Sequence, residues 1–488
     1  MEQLTGLDTL FLHGELRHTP MHIGPLFIYD TSDVAARSIT FDDILATFEA
    51  RLDRSTVFRR KLVNVPLNLD HPYWIEDGSF DLRFHVRHTA LPKPGDWQQL
   101  CTLVARLHAQ PLDRDRPLWE AYFIEGLDNV EGVPSGAFVL FLKIHHAAID
   151  GASGTRIMAA LHDIAPQPAK ALNADDWNPE TQPSATTLLK SAIRNNLRSP
   201  VKMAKAAGKG LPGLLRSRQT EDPDEARDVP AIARTRFSGP IGASRAFGAV
   251  TLNFEYIRAI KSRAEGATVN DTMLSIVGGA LRRYLLAKDE YSDTSLVTGA
   301  PVDVRTGGED EPAGNVVSVM KIPLRTDIER PTERLRAIHA DSVKAKANHD
   351  AFGSTVMAEI GNAIPSQVSS LGIRAAEVSG LLAGSRPLFN TIVSNLPGPQ
   401  QTHYLAGAKL VRSYGAGPCW DNMGLFQVVN SYDGRVTISF QACRDMMPDP
   451  EFYEICLQES FNEHASQLGA SKKKRRRVAA NKQTKNAA

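Results

Sequence analysis

No convincing strand-like run occurs between Pro166 and about Pro240, and that gap divides the chain into two parts, each of which must build its own layers. The gap is rich in Pro, Ala, Ser, Gly and charge, including the acidic patch Glu221, Asp222, Asp224 and Glu225, and it reads as a linker containing a helix. Before it, apolar strand-like runs at 26–29 and 137–144 alternate with amphipathic helical stretches at 43–52 and 97–109. After it, strand-like runs at 249–252, 295–299, 316–322, 391–395 and 436–442 accompany a helix over 270–286. A chain of 488 residues exceeds one ordinary core, so the interruption separates two α/β lobes. The expected division is 1–175 for the first lobe, 176–240 for the linker, 241–470 for the second lobe and 471–488 for a disordered tail.

Composition supports folded lobes, because 42% hydrophobic and 23% charged residues lie far from the profile of a disordered chain. Cys101, Cys419, Cys443 and Cys456 form no C-x-x-C pair, which argues against a zinc site, a redox motif or a disulfide framework and fits a reducing compartment. Neither a signal peptide nor an uninterrupted apolar span of 18 residues is present, so the expectation is a cytoplasmic protein. The formal net charge of +1 hides an asymmetry: the tail carries eight basic residues and no acid, and so does the stretch 181–220. Positive charge held in two detachable segments points to an anionic surface rather than a uniformly basic fold.

The chemistry concentrates in AFVLFLKIHHAAIDGASGTRIMAALHDI, residues 137–164. An apolar strand ends at His145 and His146, Asp150 and Gly151 make a turn, and a helix begins near Ser153. Neighbouring side chains of an extended segment point to opposite faces, so only one of the two histidines can face a cleft. That one can take a proton near pH 7 from a hydroxyl within hydrogen-bond reach, and the other is held by hydrogen bonds behind the strand. Asp150 is placed to brace the loop. A metal reading fails on the same geometry and on the lack of further ligands at coordination spacing. Leu189, Ile193 and Leu197 repeat every four residues beside Lys190, Arg194 and Arg198, an amphipathic basic helix suited either to an anionic membrane or to packing on a lobe.

HHAAIDG resembles the HHxxxDG signature of the wax ester synthase/diacylglycerol acyltransferase family, which shares its fold with chloramphenicol acetyltransferase and with peptide-synthetase condensation domains. The opening GLDTLFLHGELRHTPMHIGPLFIY, the motif Pro117-Leu118-Trp119 within PLDRDRPLWE, the pair Asn270-Asp271 within TVNDTMLSIVGGALRRYL, PVDVR at 301–305, GNVVSVMKIPLRTD at 314–327 and NTIVSNLPGP at 390–399 resemble that family in the same order. The likeness runs over roughly residues 3–465. From the residues alone, Trp119 reads equally as a core anchor, Asn270 and Asp271 as helix-capping groups, and Asn395-Leu396-Pro397-Gly398-Pro399 as a strand closing in a rigid turn.

The resemblance implies an α/β fold of two lobes, each a mixed sheet with flanking helices, around an active-site tunnel. It implies an acyl-CoA-dependent O-acyltransferase that esterifies diacylglycerol or a long-chain fatty alcohol, with His146 as general base, acyl-CoA as substrate and no cofactor or metal. Asn270, or a backbone N–H near Asn395, is the expected donor to the developing oxyanion, a contribution often worth ~3 kcal/mol. The partner expected for the basic segments is a membrane or lipid-inclusion surface, not nucleic acid, since substrates of this kind dissolve in the leaflet. Two other readings fit the motif: a catalytically idle lipid-binding member of the same fold, and an amide-forming condensation domain.

Overall fold

The computed structural model describes residues 1–34, 39–149, 153–167, 179–197, 232–303, 317–352, 366–379 and 384–485. Three sheets organise them. A small one pairs β1 (Glu2–Gln3), β4 (Tyr73–Glu76) and β3 (Arg60–Val63) in the order β1-β4-β3. The first large sheet has the order β12-β13-β2-β7-β6-β5, from β2 (His22–Asp30), β5 (Val86–Ala90), β6 (Trp119–Leu127), β7 (Ala137–His145), β12 (Tyr404–Leu405) and β13 (Ala408–Ala416). The second has the order β10-β9-β11-β14-β15-β8, from β8 (Arg245–Asn253), β9 (Val297–Asp303), β10 (Val317–Pro323), β11 (Thr391–Pro397), β14 (Leu425–Tyr432) and β15 (Arg435–Cys443). Both are mixed: β5 runs parallel to β6, and β11 parallel to β9 and β14, while the other pairs are antiparallel.

Strand β7 shows why the first sheet forms. Its run AFVLFLKIH is buried at every position, the pattern of a strand covered on both faces. Phe138, Leu140, Leu142 and Ile144 enter one core with Phe48 and Trp119, whereas Val139 and Phe141 enter another with Leu100 and Val104 of the Trp97–His108 helix. The second half has its own core, in which Met273, Val277, Ala280 and Leu281 of the Val269–Ala287 helix meet Ile438 and Phe440 of β15.

The boundary expected from sequence is not a boundary between sheets. β12 and β13 lie inside the segment assigned to the second lobe, yet they complete the first sheet, with Tyr414 opposite Leu26 and Lys409 opposite Asp30. Leu405, Ala408 and Leu410 are fully buried there. The strap is bonded back to the second sheet as well: Thr437 donates to the Ser413 carbonyl (2.9 Å) and Asn430 to the Ser413 hydroxyl (2.6 Å). Phe247 of β8 sits in the core beneath the first sheet, and Gln441 donates to His108 at 2.7 Å, so the halves share packing. The tail also departs from expectation, since the helix that begins at Pro450 continues to Lys485. After Gly469 the sequence holds neither Gly nor Pro and is rich in the good helix formers Lys, Arg and Ala.

Candidate active site

His146 leaves the sheet at the end of β7, opening the short turn His146–Ala148. Its backbone is held by the two flanking strands: the N–H of His146 donates to the Met21 carbonyl (2.8 Å), and that of His145 to the Leu118 carbonyl (2.9 Å). The two imidazoles are held by different partners. His145 is wholly buried; it accepts the Ala147 N–H on Nδ1 (3.0 Å) and faces the Glu15 carboxylate with Nε2 (2.9 Å). Because a backbone N–H can only donate, Nδ1 must carry the lone pair, and Nε2 carries the hydrogen given to Glu15.

Both rings rest on the same short helix. Thr5 and Asp8 form a capping box that starts the Gly6–Gly14 helix. Phe11 lies in its last turn, and Glu15 is the residue that ends it, with an extended backbone at φ −74°, ψ 98°. Phe11 stacks on His146 with ring centroids 4.0 Å apart and planes 15° from parallel. Glu15 receives His145 and also Arg114, whose Nη2 lies 2.8 Å away. Burial acts to raise the Glu15 carboxyl, but hydrogen bonds from His145 and Arg114 and the charge of Arg114 outweigh it and hold the group down to about 2. Burial pushes the His146 imidazole down to about 4, a backbone hydrogen bond partly opposing and His145 adding to the fall. Near neutral pH the ring is therefore uncharged.

Pro117, Leu118 and Trp119 lie beneath this turn and are buried. Leu118 packs with Leu4, Leu12, Leu62 and Ala147, while its carbonyl holds His145 as described. Trp119 donates from its indole to the Phe58 carbonyl (3.0 Å) and stacks on His85 and Phe48. The motif thus supports the histidine turn through packing and one backbone bond. Asp150 and Gly151 lie outside the described residues.

Asn270 and Asn395, 125 residues apart in sequence, meet in the second half, where the Asn395 amide donates to the Asn270 side-chain oxygen at 3.2 Å. Asp271, 1% exposed, completes a capping box with Thr268, accepting that residue's N–H at 2.8 Å, and accepts His339 at 3.0 Å. Its carboxylate is committed to the helix start. A cleft of about 520 Å³ opens between the Trp97–His108 helix and β8, lined by Arg106, Gln110, Arg245 and Arg444 among others, and none of the candidate catalytic or substrate-binding residues lines it. Among the described residues no three His, Cys, Asp or Glu side chains converge as a metal site requires.

Sequence reasoning missed Phe11, Glu15 and Arg114. The signal was present in the capping-box spacing Thr5-x-x-Asp8 followed by an aromatic and an acid four residues apart, but nothing local says that this helix reaches a strand end 130 residues away.

The wax ester synthase/diacylglycerol acyltransferase catalytic-domain family model matches residues 4–273, and the model of the WS/DGAT C-terminal domain matches 313–464. Two Mycobacterium tuberculosis proteins, each provisionally named a diacylglycerol O-acyltransferase, are similar. One is 31% identical over 92% of this chain and 87% of its own length. The other is 30% identical over 96% and 100%. Among solved structures, the wax ester synthase/diacylglycerol acyltransferase of Marinobacter aquaeolei VT8 superposes with a TM-score of 0.65 at 27% identity, covering 96% of this chain and all of that one. The starter condensation domain of rhizomide synthetase, at TM-score 0.52 and 14% identity over 96% of this chain and 94% of its own, shares the fold.

Proposed function

The chain belongs to the wax ester synthase/diacylglycerol acyltransferase family, and from that premise we propose that it is an acyl-CoA-dependent O-acyltransferase in which His146 is the general base. The acceptor is a lipid alcohol, diacylglycerol or a long-chain fatty alcohol. The observation that carries the reading is that the two adjacent histidines are held differently: one is locked in a single tautomer by Glu15 and the Ala147 N–H, and the other is neutral at the end of a buried strand.

In the proposed reaction His146 takes the proton of the acceptor hydroxyl as its oxygen attacks the thioester carbonyl. The tetrahedral intermediate collapses with cleavage of the C–S bond, and the imidazolium returns the proton to the departing CoA sulfur. Ester and free CoA are the products, and the enzyme ends as it began. Phe11 fixes the plane of the imidazole, and the Asn270–Asn395 pair supplies the candidate donors to the oxyanion. The reaction requires that water be kept from the thioester, for which it competes with the alcohol.

Peripheral attachment to an anionic membrane or lipid inclusion completes the proposal. No helix among the described residues is long and apolar enough to cross a membrane. Support comes from the basic tail and from the helix at 185–197, which buries Leu188 and Ala192 against the small sheet and leaves Ile193 and Leu197 in solvent.

The test is purified protein with palmitoyl-CoA, offered hexadecanol and dioleoylglycerol in parallel, with free CoA and lipid product both measured. Ester from either alcohol in step with CoA release is expected. CoA release without ester, or no release at all, overturns the assignment.

A further inference from the structure

The helix Ser366–Val378 is built the wrong way round for a surface helix. Its buried positions are serines, Ser366 at 1% and Ser370 at 8% exposure, whereas Val368 is 60% exposed and Leu371 67%. A surface helix normally turns its apolar stripe inward. Here the side with Ser366, Ser370 and the half-buried Ile373 is turned inward, the helix packs on the Gly6–Gly14 helix with His13 and Ser369 in hydrogen-bond contact at 3.1 Å, and Val368 and Leu371 meet solvent.

This outward face is continued by two other segments. Gln367 donates to the carbonyl of Leu67 at 3.1 Å, and Asn196 donates to the carbonyl of Leu69 at 2.7 Å, so the turn at 66–69 bridges the 366–378 helix and the helix at 185–197. Leu67 sits at the centre with its side chain 82% exposed and its backbone at φ 59°, ψ 17°. That left-handed conformation costs a residue with a Cβ roughly 1–2 kcal/mol. Strain and an unburied leucine at one position are two costs that folding alone does not explain. Beyond the bridge, Ile193 is 58% and Leu197 76% exposed. The three segments carry Lys190, Arg194 and Arg374 against a single acid, Glu377.

We propose that Leu67, Ile193, Leu197, Val368 and Leu371 form one docking face for an anionic lipid surface, with Lys190, Arg194 and Arg374 meeting its headgroups. Apolar side chains enter the acyl boundary while flanking cations remain at the phosphates, the arrangement of interfacial helices. The face lies one helix away from the chemistry, because the helix it covers is the one that stacks Phe11 on His146. This placement rests on the acyltransferase reading for the identity of the lipid, but docking itself does not.

Full-length wild type and the double variants V368Q/L371Q and I193Q/L197Q are compared by flotation with vesicles of phosphatidylcholine containing phosphatidylglycerol and with vesicles of phosphatidylcholine alone. Both pairs are exposed helix positions and glutamine is a good helix former, so folding is retained. Hexanol turnover serves as the check that the site is intact. Expected are preferential binding of wild type to the anionic vesicles, a loss of about tenfold or more in affinity for each double variant, a raised KM for vesicle-borne dioleoylglycerol, and unchanged kcat/KM for hexanol. Binding unaffected by either pair overturns the proposal, as does binding abolished only by removal of residues 471–488. A wild-type dimer that the substitutions dissociate, with flotation unchanged, also overturns it and makes the face a contact between copies. Failure to acylate any alcohol refutes the acyltransferase reading while leaving the flotation result to stand by itself.

Discussion

A neutral imidazole next to a carboxylate-bound partner divides the labour of two adjacent histidines. Replacing His146 with alanine should lower kcat by about 10²–10⁴-fold with the melting temperature little changed, the range general-base catalysis supplies. His145 carries a different load: its ring joins Glu15 to the Ala147 N–H, so H145A should cost stability first, read as a lower denaturation midpoint. The pH dependence of kcat/KM separates this account from one with an ordinary histidine. Since burial lowers the His146 pKa to about 4, the base form persists as pH falls, and activity should hold from neutral pH down to about 5 and decline through about 4. An inflection near the usual value of about 6.5 would mean the ring is far more solvated than its surroundings imply.

At the scale of elements, the short Gly6–Gly14 helix and the turn after β7 act as one unit, joined by Phe11 on His146 and Glu15 on His145. E15Q keeps the shape but exchanges a charged acceptor for a neutral amide, and it should lower both kcat and stability, the latter by about 1–2 kcal/mol. The Val269–Ala287 helix makes a separate demand. A Cβ built on Gly278 would lie 2.1 Å from the Leu324 carbonyl oxygen, a backbone atom that cannot swing aside. Alanine is favoured over glycine in a helix interior by up to about 1 kcal/mol, whereas overpacking costs about 1–3 kcal/mol. G278A should therefore destabilise despite its better propensity, measured as a lower midpoint in urea.

The whole molecule is tied together by the strap at 404–416, which leaves the second half to finish the first sheet. Residues 1–180 produced alone would lack β12 and β13, expose β2 as an unpaired edge and lose Leu405 and Leu410 from the core. That fragment should unfold without cooperativity or aggregate, as judged by thermal melts and gel filtration. Acid stability is likewise collective. Burial depresses His146 to about 4 and His162 and His464 to about 3, and pushes His22 and His108 well below the ordinary value. The unfolded chain binds these protons more readily, so the stability is whole above pH 6.5 and is lost as pH falls toward the folded values. The midpoint in urea should drop steadily between pH 6.5 and 4, before Glu15, held at about 2, begins to protonate.

Local order alone determined a good deal. Strand β7 and the Trp97–His108 and Val269–Ala287 helices follow from hydrophobic period and capping residues, which act between near neighbours. The strap was not legible, because the mixed run AKLVRSYGA at Ala408–Ala416 carries no signal for a particular neighbour and only edge-to-edge pairing decides which sheet it joins. Glu15 under His145, Asn395 beside Asn270 and the outward apolar face of the 366–378 helix were decided by tertiary structure for the same reason: each is a contact between residues distant in sequence, and the free energy that selects it exists only once the layers are packed.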